Sequence, residues 1–342
     1  MTKFITNCTL FIWFVLAAVS CQKTSSGGFV PDPPTQQGDT VWFPNDTVVP
    51  ITASIDKPAS IDSFNCISDD DGSKIIIGDS VSITFPSGGC MTTPTYSPTS
   101  TITSKNAKIN ATILVLTSKG DVIRHKIPTT SNGNLINFGA YVDIKLTYKK
   151  NPVYWNAALS KQIQIKVKTK DKYPLQPMQY FMFQPDTTNS KDTFWLPVKG
   201  HSQVSPTYVG SGLSNSPNNG YLFTSSKIGW FGCANLLAPS PFTTRVNAFL
   251  PINFTNKNTV VYAIFNDTKT VVRLKSNPAG KSYGATGIPI GLNITLVSIS
   301  EINGQYFWGT SGTITASSSD PISIIPYSVT DISVIDQNLR KL

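Results

Sequence analysis

The chain has 342 residues, 40% hydrophobic and 14% charged, a balance that excludes a disordered polypeptide and supplies apolar material for two cores. Its formal charge is +9, but the lysines are dispersed and only four arginines occur, which argues against a nucleic-acid partner. Histidine occurs only as His125 and His201 and glutamate only as Glu301, so acid–base catalysis has few groups to draw on.

The first element is a targeting segment. Met1 and Lys3 form a short positive start, and Phe4 to Val19 is apolar apart from Thr6, Asn7 and Thr9. Such a run can enter a membrane but is short for a stable span. It ends in Ala18-Val19-Ser20-Cys21, similar to a bacterial lipobox with Ala18 where Leu is commonest. Residues 1–20 therefore read as a lipoprotein signal peptide and Cys21 as the site of lipid attachment. An ordinary secretory signal with an incidental cysteine is the alternative. Each buried CH₂ of an acyl chain contributes about 0.8 kcal/mol, so several chains would hold the protein to a membrane permanently. Residues 21–40, with Ser25-Ser26-Gly27-Gly28 and Pro31, Pro33 and Pro34, read as a flexible tether.

From Val41 the texture changes to short apolar runs between turn residues. Lys74 to Ile77, a Gly78-Asp79 turn and Val81 to Phe85 predict a hairpin. Ile109 to Leu116 and Val122 to Ile127 predict a second one around Ser118-Lys119-Gly120-Asp121. Ala140 to Tyr148 and Gln162 to Lys170 complete a domain over residues 41–172. In the last strand Ile163, Ile165 and Val167 share one face, and Gln162, Gln164, Lys166, Lys168 and Lys170 the other. The lysines read as a solvated row that discourages edge pairing. Tyr173-Pro174-Leu175-Gln176-Pro177 is the expected domain boundary, because proline cannot donate to a ladder.

A second domain over residues 178–342 begins with strands at Tyr180 to Phe183 and Phe194 to Val198, followed by a polar loop from His201 to Gly220. Further strands fall at Arg245 to Leu250, Val260 to Phe265, Val271 to Leu274, Leu292 to Ile299, Tyr306 to Trp308, Gly312 to Ala316 and Ile322 to Ile325. At the C-terminus Ser328 can cap a helix in which Ile332, Ile335, Leu339 and Leu342 recur at helical spacing. The expected fold class is all-β: two β-sandwich (Ig-like) domains with a short C-terminal helix.

Three cysteines remain after Cys8 leaves with the signal and Cys21 takes lipid. Cys66 and Cys90 form a possible disulfide in an oxidising compartment, restraining the unfolded chain by roughly 3 kcal/mol; two buried free thiols fit the spacing equally well. Cys233 reads as a buried inert thiol. Asp69-Asp70-Asp71-Gly72 lacks the spacing and the glutamate of a calcium loop and reads as a solvated turn. Gly280-Lys281-Ser282 lacks the first glycine of a phosphate loop, Lys275 standing in its place. No Gly-x-Ser-x-Gly, His-Glu-x-x-His or Cys-x-x-Cys occurs, so no metal or cofactor is expected. Trp155, Trp195 and Trp308 offer possible stacking faces for a sugar, although aromatic residues on sandwich strands are more often core.

Several segments resemble an uncharacterised family of cell-surface lipoproteins common in Bacteroidetes-type bacteria. They are Gly78 to Phe85 with Pro86, Thr129-Thr130-Ser131-Asn132-Gly133 leading to Gly139, Ile288 to Val297, and Gly304-Gln305-Tyr306. Gly229-Trp230-Phe231-Gly232-Cys233-Ala234-Asn235 stands where the family has Gly-Trp-x-x-Cys-Asp-Arg, and departs from it at Ala234-Asn235. The resemblance implies an exported lipoprotein of β-domains, the first similar to a ZU5-type or carboxypeptidase-regulatory-like sandwich, and no reaction. It also implies possible O-glycosylation at Thr40 and Thr47, each inside Asp-Thr-Val, and at Ser80 inside Asp-Ser-Val; turn chemistry explains the same tripeptides. The expected function is a lipid-anchored protein at the outer membrane or cell surface with a binding or structural role and no catalysis. A glycan-binding module and a hydrolase using paired loop aspartates are the alternatives, and a glycan or an envelope protein the possible partners.

Overall fold

A computed structural model describes residues 40–45, 59–67, 72–78, 80–168, 178–185, 193–198, 204–208, 219–317 and 321–342. The strands in order are β1 (Ser60–Asn65), β2 (Ser73–Ile77), β3 (Val81–Phe85), β4 (Cys90–Met91), β5 (Lys108–Leu116), β6 (Thr130–Ser131), β7 (Asn134–Tyr148), β8 (Asn151–Trp155) and β9 (Ile163–Lys168). They continue with β10 (Gln179–Pro185), β11 (Thr193–Pro197), β12 (Ser205–Tyr208), β13 (Asn219–Ser225), β14 (Gly229–Leu236), β15 (Thr243–Phe249) and β16 (Thr259–Phe265). The last are β17 (Val271–Arg273), β18 (Lys275–Asn277), β19 (Ser282–Pro289), β20 (Asn293–Ile302), β21 (Gln305–Thr315), β22 (Pro321–Ser323) and β23 (Tyr327–Val329). Helices α1 (Lys119–Arg124) and α2 (Ile332–Arg340) complete the described elements, and the fold is all-β with a short C-terminal helix, as expected.

The strands form four sheets. A nine-stranded sheet runs β1-β5-β7-β14-β10-β11, with β4, β6 and β8 attached, and faces a sheet in the order β12-β13-β9-β3-β2. Between them lies a first core containing Phe85, Ile144, Ile165 and Phe231. Sheets β18-β19-β15-β22 and β17-β16-β20-β21-β23 enclose another core, with Ala263, Phe265, Ile288 and Leu296. A further core joins the two sandwiches: Phe138, Tyr141, Phe181 and Trp195 of the first pack with Tyr262, Ile264, Val297 and Trp308 of the second. Residues 40–342 form one compact unit in consequence. Strand β16 is buried throughout because alternate residues serve different cores, Val261, Ala263 and Phe265 on one side and Val260, Tyr262 and Ile264 on the other.

Several expectations are corrected. Residues 173–177 lie outside the described residues, but strands on either side of them share sheets: β9 pairs with β13, and β7 with β14. The sheets change between Leu236 and Thr243 instead. Val122 to Ile127 is not a strand, because Ser118 and Asp121 form a reciprocal capping box that starts α1. Gly120 permits α1 to approach α2, since a Cβ there would overlap the carbonyl of Leu339. The cap of α2 is Asp331, whose side chain accepts from Ser333 N at 2.7 Å, while Ser328 belongs to β23. Tyr306 to Trp308 and Gly312 to Thr315 belong to one run, β21, and Ala316 lies just past its end. Strand β9 has the expected alternation, but it lies between β13 and β3, so its lysines line a solvent face and guard no edge.

Strand β7 carries the device that lets one sheet serve two cores. Cys233 pairs with Ala140 and Ala234 with Phe138, leaving Gly139 as an extra residue in a bulge. Before the bulge Ile136 and Phe138 face the middle core; after it Ala140, Val142 and Ile144 face the first core, and Tyr141 takes over the middle. A Cβ on Gly139 would lie 2.6 Å from Met178 Sδ, 2.7 Å from Tyr221 Cε2 and 2.9 Å from Cys233 Sγ, so the bulge requires glycine.

Candidate functional site

Aromatic and charged residues gather at the junction between the sandwiches. On the nine-stranded sheet Tyr141 stacks on Trp195 with ring centroids 3.9 Å apart, and on Phe138 at 4.8 Å. Trp195 meets Phe183 at 5.0 Å and Trp230 edge-on at 6.4 Å, and its ring N–H donates to Pro128 O at 2.9 Å. The Tyr141 hydroxyl is buried without a hydrogen-bond partner, and burial raises its pKa well above the ordinary value.

Beside this stack runs an ionic network. Buried Arg124, at the end of α1, donates to Asp121 at 3.0 Å and reaches the Asp336 carboxylate at 2.8 Å and its carbonyl at 2.9 Å. Arg340 holds the same Asp336 at 2.7 Å. Backbone partners add to it: Thr129 Oγ1 donates to Val271 O at 2.7 Å and accepts from Val271 N at 2.9 Å, Thr270 Oγ1 donates to Ile136 O at 2.8 Å, and Lys119 Nζ donates to Phe265 O. Hydrogen-bond directions and desolvated charge fix the orientation of one sandwich on the other, which apolar contact alone does not. The aspartates that come together here meet through Arg124 rather than across an open cleft.

One further carboxylate is buried on the face of β7. Asp143 stands opposite Trp230 and Leu114, its Oδ2 3.2 Å from Lys145 Nζ and its Oδ1 without a partner. Burial raises its pKa despite the lysine. No sequence motif marks Asp143, Arg124 or Tyr141. The available signal was a lone aspartate inside an apolar strand pattern.

The three sugar-stacking residues are corrected. Trp155, Trp195 and Trp308 are buried, at 7%, 0% and 6% exposure, and belong to cores, so none presents a ring face. Cys66 and Cys90 come together: both are buried thiols, and Cys90 N–H donates to Cys66 Sγ at 3.2 Å. Cys233 is buried on β14, and burial pushes its thiol up to about 12. Thr40 is exposed, whereas Cys21, Thr47, His201 and Asp69 to Asp71 lie outside the described residues. Among the described residues no cluster of three or more histidine, cysteine or acidic side chains is placed to hold a metal.

Residues 40–45 are docked on the second sandwich. Phe43 N donates to Asn256 Oδ1 at 2.8 Å, and Asn256 Nδ2 donates to Phe43 O at 3.0 Å and Asn45 O at 3.1 Å. Trp42 packs on Tyr283 with centroids 5.1 Å apart, and Lys257 lies over the Phe43 ring. These features define an all-β protein of two sandwiches joined by a shared core and entered through a docked N-terminal strap. No protein-family model and no curated protein matches the chain.

Proposed function

We propose that this is an exported protein, held at an envelope membrane by a lipid on Cys21, with a binding or structural role and no chemistry of its own. The observation that carries the reading is the docked strap. Residues 40–45 are fastened by Asn256 to a body whose two sandwiches are joined by an ionic network and an aromatic stack, so a tether beginning at Cys21 would hand its load to one compact unit. That is the mechanical requirement of a surface-displayed scaffold. The composition and the lipobox-like Ser20-Cys21 support export, and the resemblance to Bacteroidetes-type surface lipoproteins points the same way. The proposal assigns membrane attachment to the N-terminal lipid, and among the described residues no helix is long and apolar enough to cross a bilayer.

The test is processing of the full chain in a bacterium with a lipoprotein pathway. The wild-type chain is expected to incorporate labelled palmitate and partition into detergent, and Cys21→Ser to lose both. A wild-type chain that stays aqueous and unlabelled while being exported would reduce the reading to an ordinary secreted protein. Affinity capture on envelope extracts and glycan arrays then distinguishes a docking role from a sugar-binding one.

A further inference from the structure

We propose that Cys66 and Cys90 are the two halves of a disulfide that ties the end of β1 to the start of β4 in the first sandwich. Cys66 directly follows edge strand β1, and Cys90 begins β4. The backbone already holds both. Cys66 O accepts from Gly88 N at 2.9 Å and Cys90 O from Ile102 N at 2.9 Å, while Cys90 N donates to Cys66 Sγ at 3.2 Å. A thiol 24 residues distant that accepts from its partner's own amide has been placed beside that partner by the fold, which is the juxtaposition a disulfide needs.

The surroundings favour a structural cross-link over a reactive pair. Both thiols are buried, at 1% and 0% exposure, in the first core. Cys90 stands directly opposite Trp155, which packs edge-on to Phe85 at 5.8 Å, and Phe85 stacks on Phe64 at 4.3 Å. The Cys90 thiol donates to the Cys66 sulfur, so the Cys66 proton is the more easily lost and Cys90 is pushed up. The chemistry is thiol–disulfide exchange with a disulfide-bearing oxidant. The Cys66 thiolate attacks one sulfur of the oxidant, whose S–S bond breaks and releases one thiol, leaving a mixed disulfide. Cys90, deprotonated in its turn, attacks the Cys66 sulfur and releases the second thiol. Two electrons pass to the oxidant, which keeps both protons as thiols. Because both sulfurs are enclosed in the finished fold, the exchange takes place before folding buries them.

The proposal stands apart from the lipid anchor, and its test does not depend on export. The full chain is purified reduced, unfolded in urea and refolded with oxidised dithiothreitol as the oxidant, then alkylated in denaturant and digested. The expected product is one cross-linked peptide pair containing Cys66 and Cys90 and lighter by two hydrogens than the separate peptides, with Cys233 alkylated. Its urea midpoint is expected to exceed that of the reduced chain, and Cys66→Ser, Cys90→Ser and the double variant are expected to show no such shift. Full alkylation of Cys66 and Cys90 after oxidative refolding, pairing of either with Cys233, or a cross-linked chain no more stable than the reduced one would each overturn the proposal.

Discussion

Arg124→Ala tests the junction that makes one body of two sandwiches. The side chain is 4% exposed and bridges Asp121 on α1 to Asp336 on α2. Removing one member of a buried ionic network costs about 3–5 kcal/mol, because the remaining charges stay desolvated without their counter-ion. Two features place the expected loss at about 3 kcal/mol, the low end of that range. Asp121 keeps the Thr117 and Ser118 amides, both at 3.1 Å, and Asp336 is 27% exposed and keeps Arg340. Urea unfolding followed by tryptophan fluorescence measures the loss as a lower midpoint at unchanged slope. Arg340→Ala is the internal control: its side chain is 71% exposed, and the expected loss is much smaller than that of Arg124→Ala because solvent screens the pair. A loss below about 1 kcal/mol for Arg124→Ala, or equal losses for the two variants, would refute the reasoning that burial sets the value of this network.

Other predictions address the cores and the buried carboxylate. Gly139→Ala forces a methyl into Met178, Tyr221 and Cys233, and the expected destabilisation of about 1–3 kcal/mol would appear as a lowered urea midpoint. Trp195→Ala removes a ring stacked on Tyr141 and hydrogen-bonded to Pro128; a loss of about 3–5 kcal/mol is expected, so a variant that stays as stable as the wild type contradicts its place in the middle core. Asp143 has a folded pKa raised above its unfolded value, so its contribution to stability is greatest below the unfolded carboxylate pKa and falls as pH rises through the folded one. Asp143→Asn is therefore expected to stabilise the protein at pH near 7 and to match the wild type at pH near 3. Midpoints measured across that range check the sign, and a variant less stable at neutral pH than at acid pH relative to wild type would contradict it.

Local pattern made much of the β-structure legible. Ile163, Ile165 and Val167 point inward from β9 as their alternation predicts, and the β2–β3 hairpin pairs Ile77 with Val81 across its turn. The C-terminal helix buries Ile335 and Leu339, two of the positions its spacing predicts. The junction was not legible in the same way. Val122 and Ile123 are apolar enough for a strand, yet the Ser118–Asp121 capping box and the seat of Gly120 against Leu339 make the segment helical. Strands on either side of residues 173–177 look separable because proline interrupts the chain there, but hydrogen bonds between β7 and β14 join what the linear order divides.

By itself the amino-acid order determined what depends on neighbours in the chain: strand and helix periodicity, turn residues, and an apolar run ending in a small residue and a cysteine. Only the tertiary structure decided which face of each strand meets which core, because a sheet buried on both sides has no wet face to betray its orientation. It also decided that Trp155, Trp195 and Trp308 are core and that Cys66 lies against Cys90. Those outcomes turn on contacts between residues far apart in the chain, including 212 positions from Arg124 to Asp336, and no local pattern carries information across that distance.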